Sequence, residues 1–381
     1  MTRSAVTGLR CVRCGRTAPF DPGAYLCPEC GDGGGGDPGI LDVEYDYDLA
    51  GRLFTGTRSS GRTGVFRYLP VLPLDEPAPV LPAGTTALVP APRIARRLGL
   101  GALYLKDETR NPTRCLKDRA TSVGMALALE AGAKAVYCAS AGNAAISLAG
   151  YAAHQGLACH VFVPAAVSRV RLDWLERFGA RIHRSKGDYD QAFAESEAAG
   201  RKKRWYSRNC AFNPFLVEGK KTAGLEIGEQ LAFEVPDLVV APVGDGCTLA
   251  AVGKGFRELR ALRRIGSLPS LLGVQAEGMR PLARRFAGEP PAEEGETAAA
   301  SISVRRPRNA LRLLREIRDA GGGIVAVSDE EGAAAQRALA EEAGIVAELT
   351  SALTLAAVCR MERELRGKRV VLVITGGRVD A

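Results

Sequence analysis

From residue 134 onward, short apolar runs alternate with longer stretches that are apolar on one face only. Residues 134–138, 160–163 and 181–183 read as strands, and 144–155, 167–178 and 189–199 read as helices. Gly156 is a natural helix stop. A second series follows: strands at 238–242, 271–275, 324–327 and 370–374, with helices at 249–262 and 310–320. Another helix opens with a capping box, Ser328-Asp-Glu-Glu331. Short strands alternating with longer helices predict an α/β protein with two αβα lobes and doubly wound, mainly parallel sheets. Upstream, an apolar run at 103–105 precedes a turn at Pro112, and a helical pattern occupies 118–130. A loop from 85 enters a strand, and 92–98 reads as a helix. The rest of 46–100 is rich in Pro, Gly and Arg, with little periodicity, and 287–300 reads as an exposed loop. The expected units are a module at 1–45, a small lobe at 119–215, and a large lobe from 46–118 and 216–381.

The 381 residues suffice for two or three domains. Lys plus Arg exceed Asp plus Glu by 51 to 43, but the basic residues are scattered. The densest run, Arg201-Lys-Lys-Arg204, reads as a solvated helix end, so no nucleic-acid partner is expected. No apolar run has membrane-spanning length, and the first residues lack an apolar core of signal-peptide length. A cytoplasmic location follows, which argues against disulfides among the ten cysteines. His154, His160 and His183 each fall in an ordinary helix or strand pattern and read as structural.

Four cysteines form a pattern. Cys11-x-x-Cys14 and Cys27-x-x-Cys30 are separated by twelve residues, the spacing of two knuckles that give four thiolates to a tetrahedral zinc ion. So short a segment needs the metal to fold, and four protein ligands leave no open position, so the zinc is structural. Residues 41–48 alternate like a half-exposed strand that pairs with this module.

Three turns carry chemistry. Lys117 stands where the Pro112 turn feeds a helix, and a helix N-terminus disfavours an ammonium and suits an amine that must attack a carbonyl. Ser140, Ala141, Gly142 and Asn143 join a strand to a helix and offer free amides to a carboxylate or phosphate. Gly244, Asp245, Gly246, Cys247 and Thr248 make a second such turn, a nest for a phosphate. It is neither a P-loop nor a good dinucleotide fingerprint.

Asn111-Pro-Thr-Arg-Cys-Leu-Lys117-Asp-Arg119 resembles the lysine segment of the threonine synthases, fold type II pyridoxal-phosphate enzymes. Pro242-Val-Gly-Asp-Gly-Cys-Thr248, Ile374-Thr375-Gly376-Gly377, Leu216-Val-Glu-Gly-Lys-Lys-Thr222 and Glu348-Leu-Thr-Ser351 are similar to further segments of that family, in the same order. The resemblance implies that Lys117 holds pyridoxal 5'-phosphate as a Schiff base and then moves protons. It implies that the 244–248 loop binds the phosphate, Asn143 the phenolic oxygen, and Thr375 the pyridine nitrogen. A neutral partner there makes a mild electron sink suited to elimination and replacement. The turn at Ser140, Ala141 and Gly142 would take the substrate carboxylate.

The departures fall on the substrate side. Arg114-Cys115-Leu116 replaces Gly-Ser-Phe, Asn213-Pro-Phe-Leu216 lacks the family's arginine near the substrate phosphate, and the end reads Gly376-Gly-Arg-Val-Asp380. Arg114 is accordingly expected to contact the substrate's distal group. The lead reaction is O-phosphohomoserine to threonine. The alternative is β-elimination or β-replacement on a serine-type substrate, as in dehydratases and cysteate synthases. A reading of another class, a zinc-ribbon binding protein with a non-catalytic core, is opposed by the retained Lys117, Asn143 and Thr375. The expected partners are a small amino-acid substrate, phosphorylated or not, and a second copy in a homodimer, with no membrane and no nucleic acid.

Overall fold

A computed structural model describes residues 4–54, 61–165, 167 and 169–377. The departures noted at 378–380 lie outside the described residues.

The chain opens with an antiparallel sheet of β1 (Val6–Cys11), β2 (Thr17–Ala18) and β3 (Leu41–Tyr45), in the order β2-β1-β3. It then lays down the antiparallel pair β4 (Leu88–Pro90) and β5 (Ala102–Asp107). Next it leaves to build a second sheet from β6 (Ala135–Ala139), β7 (Ala158–Val163), β8 (Arg181–Arg184) and β9 (Tyr206–Ser207), all parallel, in the order β8-β7-β6-β9. It returns with β10 (Leu238–Pro242), β11 (Ser270–Ala276), β12 (Gly323–Val327) and β13 (Arg369–Ile374). These join β5 and β4 in a six-stranded sheet, β12-β11-β10-β13-β5-β4, parallel except for β4. β6 and β10 are buried along their whole length, as parallel strands covered on both faces must be. The sheets and helices match the expected fold, with three informative differences.

First, helices begin earlier at the chemical turns. They run Lys117–Glu130, Asn143–Gln155 and Cys247–Ala261, so Lys117, Asn143 and Cys247 are themselves first helical residues. A strand followed by glycine turns directly into a helix, leaving little loop between them. Second, the helix Tyr189–Lys203 runs on through Arg201, Lys202 and Lys203, cations that favour a helix C-terminus, and Arg204 closes it in the left-handed region. Third, helices Phe215–Gln230 and Leu349–Arg360 gave no periodic signal because they are buried on nearly every side.

The recurrent segments also meet structurally. Arg119, fully buried, donates to Glu108 at 2.7 and 2.8 Å, to Thr86 Oγ1, to Thr222 Oγ1 at 3.0 Å, and to Glu226. Lys106 donates to Glu226 at 2.8 Å. The Lys117-Asp-Arg119 and Glu218-Gly-Lys-Lys-Thr222 segments are thus pinned together by a buried ionic network. A second network ties β3 to the large sheet's helices. Glu218 accepts from Tyr45 Oη (2.6 Å), Lys221 (2.6 Å) and Lys254 (2.7 Å), and Lys254 also reaches Asp42 at 2.8 Å.

Candidate active site

The carboxyl ends of both parallel sheets face one cavity of about 310 Å3. Its lining includes Lys117, Ser140, Ala141, Gly142, Asn143, the whole 244–248 loop and Thr375. Every residue expected at the site is there except Arg114.

Lys117 sits on the first turn of its helix, half-buried. Burial and the neighbouring Lys220 ammonium push its amine below the ordinary lysine range. Arg208 adds a second positive charge, its guanidinium donating to the Lys117 carbonyl (3.2 Å), to Thr121 Oγ1 (3.2 Å) and to Cys210 Sγ (3.1 Å). An amine so placed yields its proton readily, which a nucleophile and proton carrier requires.

Asn143 donates one amide hydrogen to Glu348 Oε2 at 3.0 Å, leaving the second for a ligand. Glu348 also accepts from Ser301 Oγ at 3.2 Å, and burial raises its carboxyl despite these bonds. The backbone sets Glu348 beside the Thr375-Gly376 turn: Glu348 N donates to Gly376 O at 3.0 Å, and a Cβ on Gly376 would stand 3.0 Å from Glu348 Oε1. Thr375 Oγ1 lies 3.0 Å from Ser351 Oγ, which also accepts from Gly376 N at 3.0 Å. The Glu348-Leu-Thr-Ser351 segment therefore serves the site by orienting Asn143 and Thr375.

The 244–248 loop is a cradle closed from behind. Gly246 has φ of 97°, and added Cβ atoms would approach Ile302 Cα at 2.9 Å from Gly244 and Asn309 O at 3.1 Å from Gly246. Asp245 turns its carboxylate onto Arg308 N (2.6 Å) and Asn309 Nδ2. Asp245 thus fastens the loop rather than presenting a naked charge to an anion. The first-turn amides of Cys247–Ala261 complete the nest. The loop, the lysine and the two polar side chains fit a pyridoxal phosphate: nest for phosphate, amine for carbonyl, neutral hydroxyl and amide for the ring.

Arg114 is exposed, at φ of 63°, with its guanidinium against Gly377. It is not among the lining residues. Its carbonyl accepts from Gly377 N at 3.0 Å, so the segment's backbone braces Gly376-Gly377 while the side chain faces out. The cations that line the cavity besides Lys117 are Arg171, Arg208 and Lys220, none of which the sequence singled out. Leu216, where the resemblance led to the expectation of an arginine, is fully buried, and its Cδ2 would lie 2.6 Å from a Cβ on Gly124.

The four N-terminal cysteines converge as their spacing requires. Their sulfurs all lie within 4.8 Å of one another, and Cys14 and Cys27 are 3.8 Å apart. Four thiolates at about 2.3 Å from a zinc ion stand about 3.8 Å apart, so the set fits that metal. Gly39 makes room, since a Cβ there would meet Cys30 Cβ at 2.4 Å. Among the described residues, no helix is long and apolar enough to cross a membrane.

The family described as pyridoxal-phosphate dependent enzyme matches residues 80–376, and this chain belongs to it. Within it the chain is a threonine synthase-like lyase. It is 36% identical to threonine synthase of Methanocaldococcus jannaschii over 96% of this chain and 91% of that protein. It is equally similar to the threonine synthase of Methanosarcina acetivorans, over 97% and 91%. Among solved structures it resembles a T.th. threonine deaminase (TM-score 0.65, 27% identity, 78% and 93% of the two chains). It also resembles maize serine racemase (TM-score 0.66, 20% identity, 77% and 88%), a likeness of fold.

Proposed function

We propose that this protein uses pyridoxal phosphate to catalyse elimination or replacement at Cβ or Cγ of an amino acid that carries an anionic distal group. O-phosphohomoserine, converted to threonine, is the lead substrate. The observation that supports this most is the convergence of Lys117, Asn143, Thr375 and the 244–248 loop on one cavity. Similarity to threonine synthases over nearly the whole chain points to the particular reaction.

When bound, the cofactor supplies an electron sink that stabilises negative charge beside the amino group. The chain supplies the rest. Lys117 would hold the cofactor and carry protons at Cα and Cβ, its amine kept below the ordinary lysine range by burial and Lys220. The 140–143 turn would hold the α-carboxylate on backbone amides. Thr375, oriented by Ser351, would face the ring nitrogen with a hydroxyl. The distal anion falls to Arg171, which lines both the main cavity and an adjoining recess of about 200 Å3 with Ser301, Gln336 and Glu348. The cysteines at 11, 14, 27 and 30 would hold a structural zinc ion.

Purified protein supplied with pyridoxal phosphate is expected to gain a visible absorbance band, which Lys117→Ala abolishes together with turnover. Arg171→Ala is expected to keep the band and raise KM about tenfold or more, the worth of one charge-assisted contact of about 1.5–3 kcal/mol. Arg114→Ala, altering an exposed side chain, is expected to leave KM within about twofold. Phosphate release from O-phosphohomoserine is the deciding assay. A second reading, a serine-type substrate, is favoured by the buried Leu216 in place of an arginine. It prevails if serine is consumed and O-phosphohomoserine is not.

A further inference from the structure

Two cysteines at the cavity have no part in the proposed reaction. Cys210 lies in the segment after β9 and Cys247 opens the helix Cys247–Ala261; both line the cavity. Both sulfurs face one ammonium. The ammonium of Lys220, fully buried, stands 2.7 Å from Cys247 Sγ and 3.3 Å from Cys210 Sγ. The Arg208 guanidinium stands 3.1 Å from Cys210 Sγ.

We propose that Cys210 and Cys247 form a reversible oxidation site, in which a peroxide converts the thiol pair into a disulfide that ties the 244–248 loop to the segment after β9. Geometry provides each part: a sulfur reachable from the cavity, two fixed cations to hold it as thiolate, and a second thiol held on the same Lys220 ammonium. The charges agree. The neighbouring Cys247 thiol and the Lys220 and Arg208 charges draw the Cys210 thiol well below its ordinary range, while Cys247 is pushed up and keeps its proton. Buried Cys138 and Cys159 are pushed up instead, the first to about 12, as isolated buried thiols are.

The Cys210 thiolate attacks one peroxide oxygen; the S–O bond forms, the O–O bond breaks, and the departing oxygen leaves as water after taking a proton from Lys220. Cys247 sulfur then attacks the sulfenic sulfur; the S–S bond forms, the S–O bond breaks, and the second oxygen leaves as water with the Cys247 proton. A solvent proton restores the Lys220 ammonium. Two thiols lose two electrons and the peroxide gains them. The bond would displace Cys247 from the first turn of its helix, an effect on cofactor binding that rests on the reading of 244–248 as the phosphate cradle.

Reduced full-length protein, treated with one equivalent of hydrogen peroxide and mapped by mass spectrometry, is expected to yield a Cys210–Cys247 cross-linked peptide that dithiothreitol reverses. Cys210→Ser or Cys210→Ala is expected to abolish it, and Lys220→Met to slow it about tenfold or more. Peroxide that reaches Cys14 or Cys30 while Cys210 stays reduced overturns the proposal. So does oxidation of Cys210 that stops at the sulfinic acid with Cys247 free. The visible band, read in parallel, is expected to weaken as the cross-link forms. A cross-link with an unchanged band overturns the phosphate assignment to 244–248 and leaves the thiol pair standing; an intact band without a cross-link overturns the pair alone.

Discussion

At the scale of single residues, the buried carboxylates set a pH signature. Burial alone would raise the Glu226 carboxyl, but the Arg119 guanidinium and the Lys106 ammonium more than offset it, leaving it at about 2. A carboxyl depressed on folding stabilises the native state above its unfolded pKa of about 4.3 and loses that contribution as pH falls toward the folded value. The contribution of this group is therefore expected to be flat from pH 7 to about 5 and to fall between about 4.5 and 2, by on the order of 3 kcal/mol. Urea denaturation at pH 6 and pH 3 measures it. Glu226→Gln is expected to be less stable at pH 6 and to show a shallower acid slope; equal slopes would mean that other groups govern the acid transition. Arg119 was legible as part of a recurrent motif, but its work is structural, and only its partners at Glu108, Thr86, Thr222 and Glu226 reveal that.

At the scale of elements, glycines decide how closely helices approach. A Cβ on Gly219 would lie 2.0 Å from Arg119 O, and one on Gly255 would lie 2.4 Å from Lys221 O. The helices Lys117–Glu130, Phe215–Gln230 and Cys247–Ala261 therefore pack backbone against backbone at these points. Gly219→Ala should force the first two apart, costing about 1–3 kcal/mol or more. Since one of them carries Lys117 and the other Lys220, cofactor retention should weaken as well. Thermal unfolding of Gly219→Ala with and without pyridoxal phosphate tests this, and an unchanged Tm would show that the pair relaxes freely. Sequence periodicity could not place Phe215–Gln230, because fourteen of its sixteen residues are buried and no polar stripe marks a face.

At the scale of the whole molecule, the cysteine cluster and the catalytic lobes are mechanically joined. β3 sends Tyr45 and Asp42 into the Glu218–Lys221–Lys254 network, and the helix that carries Glu218 and Lys221 also carries Lys220. Zinc is expected at one ion per chain by elemental analysis. Removing it, or Cys11→Ser, is expected to lower the Tm of the entire protein, because a structural zinc supplies folding energy to a segment with little core of its own. A protein that binds no zinc, or one whose Tm ignores its removal, would show that the four thiols are idle.

The sequence by itself determined the α/β alternation, since strand and helix periods of 2 and 3.6 are local properties. It determined the four-cysteine cluster and the three chemical turns, because glycine, proline and residue type at a strand end constrain the backbone directly. That strand ends carry the site was legible for the same reason: Asn143, Thr375 and 244–248 each follow the end of a strand, and Lys117 follows the turn after β5; that the two sheets bring these ends to one cavity is a property of the tertiary structure. The cations that line the cavity besides Lys117 were not legible. Arg114 lies three residues from Lys117, yet a left-handed backbone turns it outward, while Arg171, Arg208 and Lys220 arrive from distant elements. Which cation faces a cavity depends on helix rotation and packing, which local pattern does not encode. The Cys210–Cys247 pair has the same origin: two ordinary cysteines become partners only where the fold brings a buried lysine between them.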